Sequence, residues 1–292
     1  MTVVPVTPAA AAGAEQNSEG LQNAVLDLGF ENSLEDSSGK GNNGTLSSGE
    51  AEYVDGVVGK GLKMNGSSYV NLGNSTDLQP ENLTLSFWIR PDSDMKGEEL
   101  ISWNKNEWYT DGWYLSSEND NTPLTLSVGP AKTNGQPYRV SVSGKRSEFL
   151  PTGEWTHIAV TYDKDSKEIC FYRNGVKCST VTTYGISGES TGVLGSDASM
   201  EKSIGYNGPK YKGAYLKASL DEYQLYNDVA TQEEVIALYE ESGQTFDRKA
   251  VAQADLDKIS IPETTQGNLS LPATGESGSV ISWSSDNEAM VA

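Results

Sequence analysis

The stretch Ala218-Ser219-Leu220-Asp221-Glu222-Tyr223-Gln224-Leu225-Tyr226-Asn227 reads as a β-strand. Its aromatic and apolar residues fit a pleated, half-buried surface on which successive side chains alternate faces. On a period of two, Asp221, Tyr223 and Leu225 share one face and Leu220, Glu222 and Tyr226 the other. With Tyr223 and Leu225 turned to a core, Asp221 points inward as well, at the entrance of the strand. An unpaired carboxylate in that position is costly, so it calls for a cation or a set of donors; the alternatives are a solvated Asp at the strand end or one taken up by loop amides.

Other strands extend the pattern upstream. Leu83, Leu85, Phe87 and Ile89 alternate with Thr84, Ser86, Trp88 and Arg90, and Pro91 closes the run. In 155–162, Ile158, Val160 and Tyr162 take one face while Trp155 and His157 take the other; Leu26, Leu28 and Phe30 form an earlier apolar row. Short strands at this spacing, with turn signals between them, specify an all-β, two-sheet antiparallel sandwich or jelly roll. One helix is expected near the end of this region: Thr231 caps it, Glu234 completes a capping box, and Gly243 follows it.

Cys170 and Cys178 flank Tyr172-Arg173-Asn174-Gly175-Val176, a hairpin signal. A two-residue Asn174-Gly175 turn places the sulfurs on opposite faces and forbids a bridge, whereas a three-residue loop would permit one. The two-residue turn is the expectation.

The 292 residues include 21 basic and 41 acidic side chains, for a net charge of −20. That balance argues against nucleic acid and anionic membrane surfaces, whose phosphates require Lys and Arg. No apolar run approaches a membrane span. Residues 1–20 are expected to be a leader resembling the tail of a signal peptide, and 21–243 the sandwich. Residues 244–258 are expected as a linker or short helix, with a new strand-and-turn pattern in 259–292 too short for a core of its own. The chain is therefore expected to be part of a longer secreted or cell-surface protein.

Five blocks in order resemble the bacterial laminin-G-like branch of the concanavalin-A-like jelly rolls. They are Phe30-Glu31-Asn32 with Asp36-Ser37-Ser38-Gly39-Lys40-Gly41-Asn42-Asn43-Gly44; Leu83 to Pro91; Gly153 to Asp163; Phe171 to Gly175; and Ser219 to Tyr223 with Tyr226-Asn227. The resemblance implies two antiparallel sheets whose first and last strands lie side by side, with the Asn/Gly-rich loop beside Asp221. It also implies a structural Ca²⁺ there, held by Glu31, Asp36, Asn43 and Asp221 with loop carbonyls. Residues 259–292 resemble the first half of a bacterial immunoglobulin-like module. Together the two resemblances imply an accessory domain of a larger, Gram-positive, glycan-degrading enzyme.

Catalysis is not expected within this chain. The Glu-x-Asp-x-x-Glu run that sets paired carboxylates along a glucanase strand is missing. His157, the single histidine, has no evident orienting partner and reads as a packed or surface imidazole. Binding of a glycan is the expectation, with a structural or adhesive spacer as the alternative. Trp103, Trp108, Tyr109, Tyr206 and Tyr211, interspersed with Asn104, Asn106, Asn207 and Lys210, are the candidate sugar contacts. Trp88, Trp113 and Trp155 match family positions and are expected to pack.

Overall fold

A computed structural model describes residues 21–22, 24–92, 99–105, 112–130, 137–184, 201–206, 215–261 and 270–284. The chain divides into two units, 20–246 and 247–292 together with 1–19. In the larger unit the first strands are β1 (Ala24–Leu28), β2 (Thr45–Leu46), β3 (Glu52–Asp55), β4 (Lys60–Asn65) and β5 (Val70–Asn71). Next come β6 (Leu83–Pro91), β7 (Glu99–Lys105), β8 (Gly112–Ser117), β9 (Thr125–Pro130) and β10 (Pro137–Val142). A one-turn α1 (Arg146–Phe149) precedes β11 (Thr156–Tyr162), β12 (Ile169–Arg173), β13 (Val176–Lys177) and β14 (Thr180–Tyr184). The unit closes with β15 (Ser203–Ile204), β16 (Lys217–Tyr226) and α2 (Gln232–Glu241).

These strands form two antiparallel sheets. The first runs β13-β12-β11-β6-β16-β4-β3, with β1 also paired to β16; the second runs β14-β10-β9-β8-β7-β15-β5-β2. The first and last strands are thus neighbours, Leu28 opposite Tyr223. Alternation puts an unbroken apolar row across the first sheet, Leu26–Leu225–Leu85–Val160–Phe171, each the Cα partner of the next. All five are buried in one core cluster with Trp113, Leu115, Leu126, Val128 and Val140 from the second sheet. The architecture is an all-β jelly-roll sandwich.

β16 departs from strict alternation. Asp221 pairs with Trp88 and Gln224 with Ser86, so Glu222 and Tyr223 together oppose the single Phe87. This is a β-bulge, and Glu222 accommodates it with a φ of 46°. The extra residue moves Asp221 to the face opposite Tyr223 and Leu225, correcting the expectation that all three point the same way. Asp221 is also mid-strand, not at the entrance. It is fully buried all the same, because the residues between β3 and β4 close over it.

The outer face of the first sheet is covered by α2. Thr231 accepts from the Glu234 amide while the Glu234 carboxylate accepts from the Thr231 amide, the capping box seen in the sequence. Val235 and Ala230 pack on Ala159, Cys170 and Tyr172. The β12–β13 hairpin turns on Asn174 and Gly175, at φ 49° and 81°. Tyr172 pairs with Lys177 and Arg173 with Val176, and both cysteines are free. A Cβ on Gly175 would sit 2.8 Å from the Phe246 ring. Gly175→Ala therefore combines a left-handed backbone with a clash, and should lower stability by about 1–2 kcal/mol in denaturant titration.

In the smaller unit, α3 (Arg248–Asp257) begins at Asp247, whose carboxylate accepts from the Ala250 amide. Near its end Asp255 accepts from the Ser277 and Ser279 amides at 2.9 and 3.2 Å. Thr274 and Val280 form an isolated antiparallel bridge.

Candidate functional site

The acidic candidates lie in two groups. In the Asn/Gly-rich loop, Asp36 accepts from the amides of Asp27, Ser38 and Asn42 and from the Ser38 hydroxyl, at 2.8–2.9 Å. Asn43 Oδ1 accepts from the Asp36 amide at 2.8 Å. Burial pulls the Asp36 carboxyl upward, but these donors outweigh it and hold its pKa below the ordinary value. Such a loop is tied down by its own Asx and Ser side chains.

The second group lies at the bulge. Asp221 Oδ2 accepts from the Val57 and Val58 amides at 2.7 and 3.1 Å, and Oδ1 from the Glu222 amide at 3.0 Å. Gly56 permits this approach, since a Cβ there would collide with Oδ2. Glu31 Oε1 accepts from the Lys60 amide at 3.0 Å. Burial drives Asp221 up to about 6 despite its three amide donors, with Glu31 adding repulsion. Glu222 rises to about 7, first through burial and then through repulsion from Asp221, Asp27, Glu31 and Glu241. Glu222 was not among the sequence candidates. Its signal is the Asp-Glu doublet, which strict alternation assigns to opposite faces and which the bulge turns into a pair of interacting acids.

This donor set is of the oxygen type a hard cation takes: Asp221 is buried, Glu222 half-buried, and the largest charge effects on Glu222 are all repulsive. Among the described residues, no three His, Cys, Asp or Glu side chains converge to hold a metal ion. Glu31 and Asp221 are close enough to repel each other, while Asp36 and Asn43 form their own knot. An ion here would therefore complete its shell with carbonyls and water, as Ca²⁺ with six to eight oxygen ligands readily does.

The aromatic candidates also separate. Trp108, Tyr109 and Tyr211 lie outside the described residues. Trp103 is buried and stacks on Tyr114, with ring centroids 5.3 Å apart at 26°. It belongs to a row crossing the second sheet from β2 to β10 on the face away from the core: Thr45–Asn71–Ser203–Trp103–Tyr114–Ser127–Arg139. Arg139 lies 5.9 Å above the Tyr114 ring and pairs with Glu118.

Tyr206 is buried in a second cluster. It stacks on Tyr69 at 4.9 Å and 25°, and on Tyr215 at 4.5 Å and 8°. Tyr69 and Tyr215 are only partly buried. Their positions beside β5 and at the start of β16 bring them to Tyr206 after β15, a meeting that single-strand patterning does not reveal. Trp88 is buried against His157 and Tyr239, Trp113 lies in the core, and Trp155 carries the Arg90 guanidinium 4.8 Å above its ring.

Two antiparallel sheets packed face to face, with terminal strands adjacent and α2 across one outer face, define a jelly roll of the lectin and glucanase type. Residues 64–236, more than half of the chain, match the laminin G family described as the concanavalin A-like lectin/glucanases superfamily, and the chain belongs to that family. None of the proteins with curated functions matches it. Among solved structures it is similar to domain 4 of AbnA, an extracellular GH43 arabinanase of Geobacillus stearothermophilus, in complex with arabinotriose. That match has 22% identity and a TM-score of 0.52 over 75% of this chain and 100% of that domain. It is similar to the binding domain of Paraclostridial Mosquitocidal Protein 1, with 22% identity and a TM-score of 0.54 over 75% and 52% of the two chains. A structure of botulinum neurotoxin type C, whose cell entry depends on interaction with two ganglioside molecules, matches at 15% identity and a TM-score of 0.55. There the alignment covers 75% of this chain and 51% of that one, so the chain spans about half the length of these two toxin structures. No helix among the described residues is long and apolar enough to cross a membrane.

Proposed function

We propose that this chain is a non-catalytic, lectin-like glycan-binding module. The carrying observation is the cluster of Tyr69, Tyr206 and Tyr215, in which Tyr206 is buried while Tyr69 and Tyr215, themselves 6.5 Å apart, keep part of their surface open. Sugars present C–H faces to such rings, and stacked neighbours fix ring orientation at little entropic cost. The fold supports the same reading, since the arabinanase domain of like architecture is bound to arabinotriose. In this proposal the chain serves a larger secreted glycan-degrading enzyme of a Gram-positive bacterium, with residues 259–292 opening an immunoglobulin-like module.

A glycan array probed with the intact chain and with Tyr69→Ala and Tyr215→Ala tests the site. Each substitution should weaken binding about tenfold, the scale of one aromatic contact. An array with no bound sugar would leave the spacer reading in its place.

The proposal includes a structural Ca²⁺ near Glu31 and Asp221, with Asp36 and Asn43 ordering the adjoining loop. Chelation should then lower the melting temperature. At Ca²⁺ about 100-fold above its dissociation constant, the stabilisation removed would be about 2.7 kcal/mol. Identical melting curves with Ca²⁺ and with chelator would remove the ion from the account.

A further inference from the structure

Between the outer face of the first sheet and the end of α2 lies a cavity of about 90 Å³, lined by Ser86, Trp88, His157, Glu222, Gln224 and Glu241 among others. That is room for about three water molecules or the head of a small amine. Its polar content is one-sided. His157 is 1% exposed; its Nε2 lies 2.9 Å from Ser86 Oγ, and its Nδ1 has no partner among the described residues. No hydrogen bond or ion pair engages the carboxylates of Glu222 and Glu241 among the described residues. The largest charge effects on Glu222 come from Asp221, Asp27, Glu31 and Glu241, all acidic. Trp88 forms the wall, held in place by Tyr239 stacked on it at 5.6 Å and 26°.

We propose that this cavity binds a primary ammonium group. An occupant must bring positive charge and N–H donors together, to a bare imidazole nitrogen and to two carboxylates. The Ca²⁺ proposed above lies at Glu31 and Asp221, neither of which lines this cavity. The assignment fixes the imidazole tautomer. Nε2–H donates to Ser86 Oγ, and Nδ1 accepts from the ammonium. The site is separate from the tyrosine stack and does not depend on the glycan reading.

Methylammonium chloride tests it on the full chain, with sodium chloride and tetramethylammonium chloride at equal ionic strength as controls. Methylammonium should raise the melting temperature saturably and shift the ¹⁵N resonance of His157 Nδ1. Tetramethylammonium, which is bulky and has no N–H, should do neither. His157→Phe, which keeps an aromatic ring under α2, and Glu241→Gln, on the exposed rim, should each weaken the response about tenfold or more. Competition by Nα-acetyl-lysine methylamide would assign the natural ammonium to a protein side chain, and competition by glucosamine would assign it to an amino sugar. The proposal is overturned if methylammonium and sodium act alike on both readouts. It is equally overturned if the response survives both substitutions, or if Nδ1 carries the proton with the amine present.

Discussion

Replacing Asp221 with alanine should destabilise the sandwich by about 3 kcal/mol or more, the scale expected when buried donors lose their acceptor. The carboxylate accepts from three amides, those of Val57, Val58 and Glu222. Two of these hold the β3–β4 connection against β16, and the third holds the bulge. Alanine leaves all three donors without their acceptor, though water can reach Val58, which is exposed. Asp221→Asn keeps one acceptor oxygen and removes a charge that burial disfavours, so its loss should be smaller, about 1 kcal/mol. Urea titration of both variants checks the order. If asparagine costs as much as alanine, charge rather than the amide bonds is what the fold uses, and a bound cation becomes the natural explanation.

Stability should also fall as pH rises through neutrality, and Glu222 is the main source. Burial and four acidic neighbours raise its carboxyl to about 7, and Asp221 is raised to about 6. A carboxyl with a raised folded-state pKa contributes fully below its unfolded value, near 4. That contribution is lost as pH climbs through the folded value. Between pH 4.5 and 7.5 the chain should lose about 1–2 kcal/mol relative to Glu222→Gln, after allowing for screening of a half-buried group. His157 works in the opposite sense. Burial lowers its pKa to about 3, so its contribution is complete above the ordinary value of 6.5 and drains away as pH falls toward 3. Unfolding free energies of the parent, Glu222→Gln and His157→Phe across this range separate the two. A bound divalent ion would favour the ionised carboxylates and flatten the neutral-pH decline, so the same series should be run with Ca²⁺ and with chelator.

Much of the sandwich was legible from local pattern. The alternations at Leu83–Ile89 and Ile158–Tyr162, the Asn174-Gly175 turn and the Thr231/Glu234 capping box each rest on contacts a few residues apart or on strict periodicity. β16 was legible as a strand but not in its facing. A bulge depends on how a strand is paired, and pairing with β6 is a long-range fact. That one residue decides which side Asp221 takes and whether Asp221 and Glu222 repel. The tyrosine cluster was hidden for a similar reason. Tyr206 stood out in sequence, but Tyr69 and Tyr215 gain their meaning only when β5, β15 and the entry to β16 come together. Trp103 shows the converse: an aromatic beside amides in the sequence, it is a buried strand residue stacked on Tyr114.

Affinity electrophoresis through gels cast with soluble polysaccharides tests the glycan-binding claim most directly, using the parent chain beside a Tyr69→Ala/Tyr215→Ala double variant whose fold is verified by circular dichroism. The parent should be retarded by at least one polysaccharide and the double variant should run as in a blank gel. Equal retardation of the two proteins, or none of either, would contradict a sugar site at the tyrosine stack.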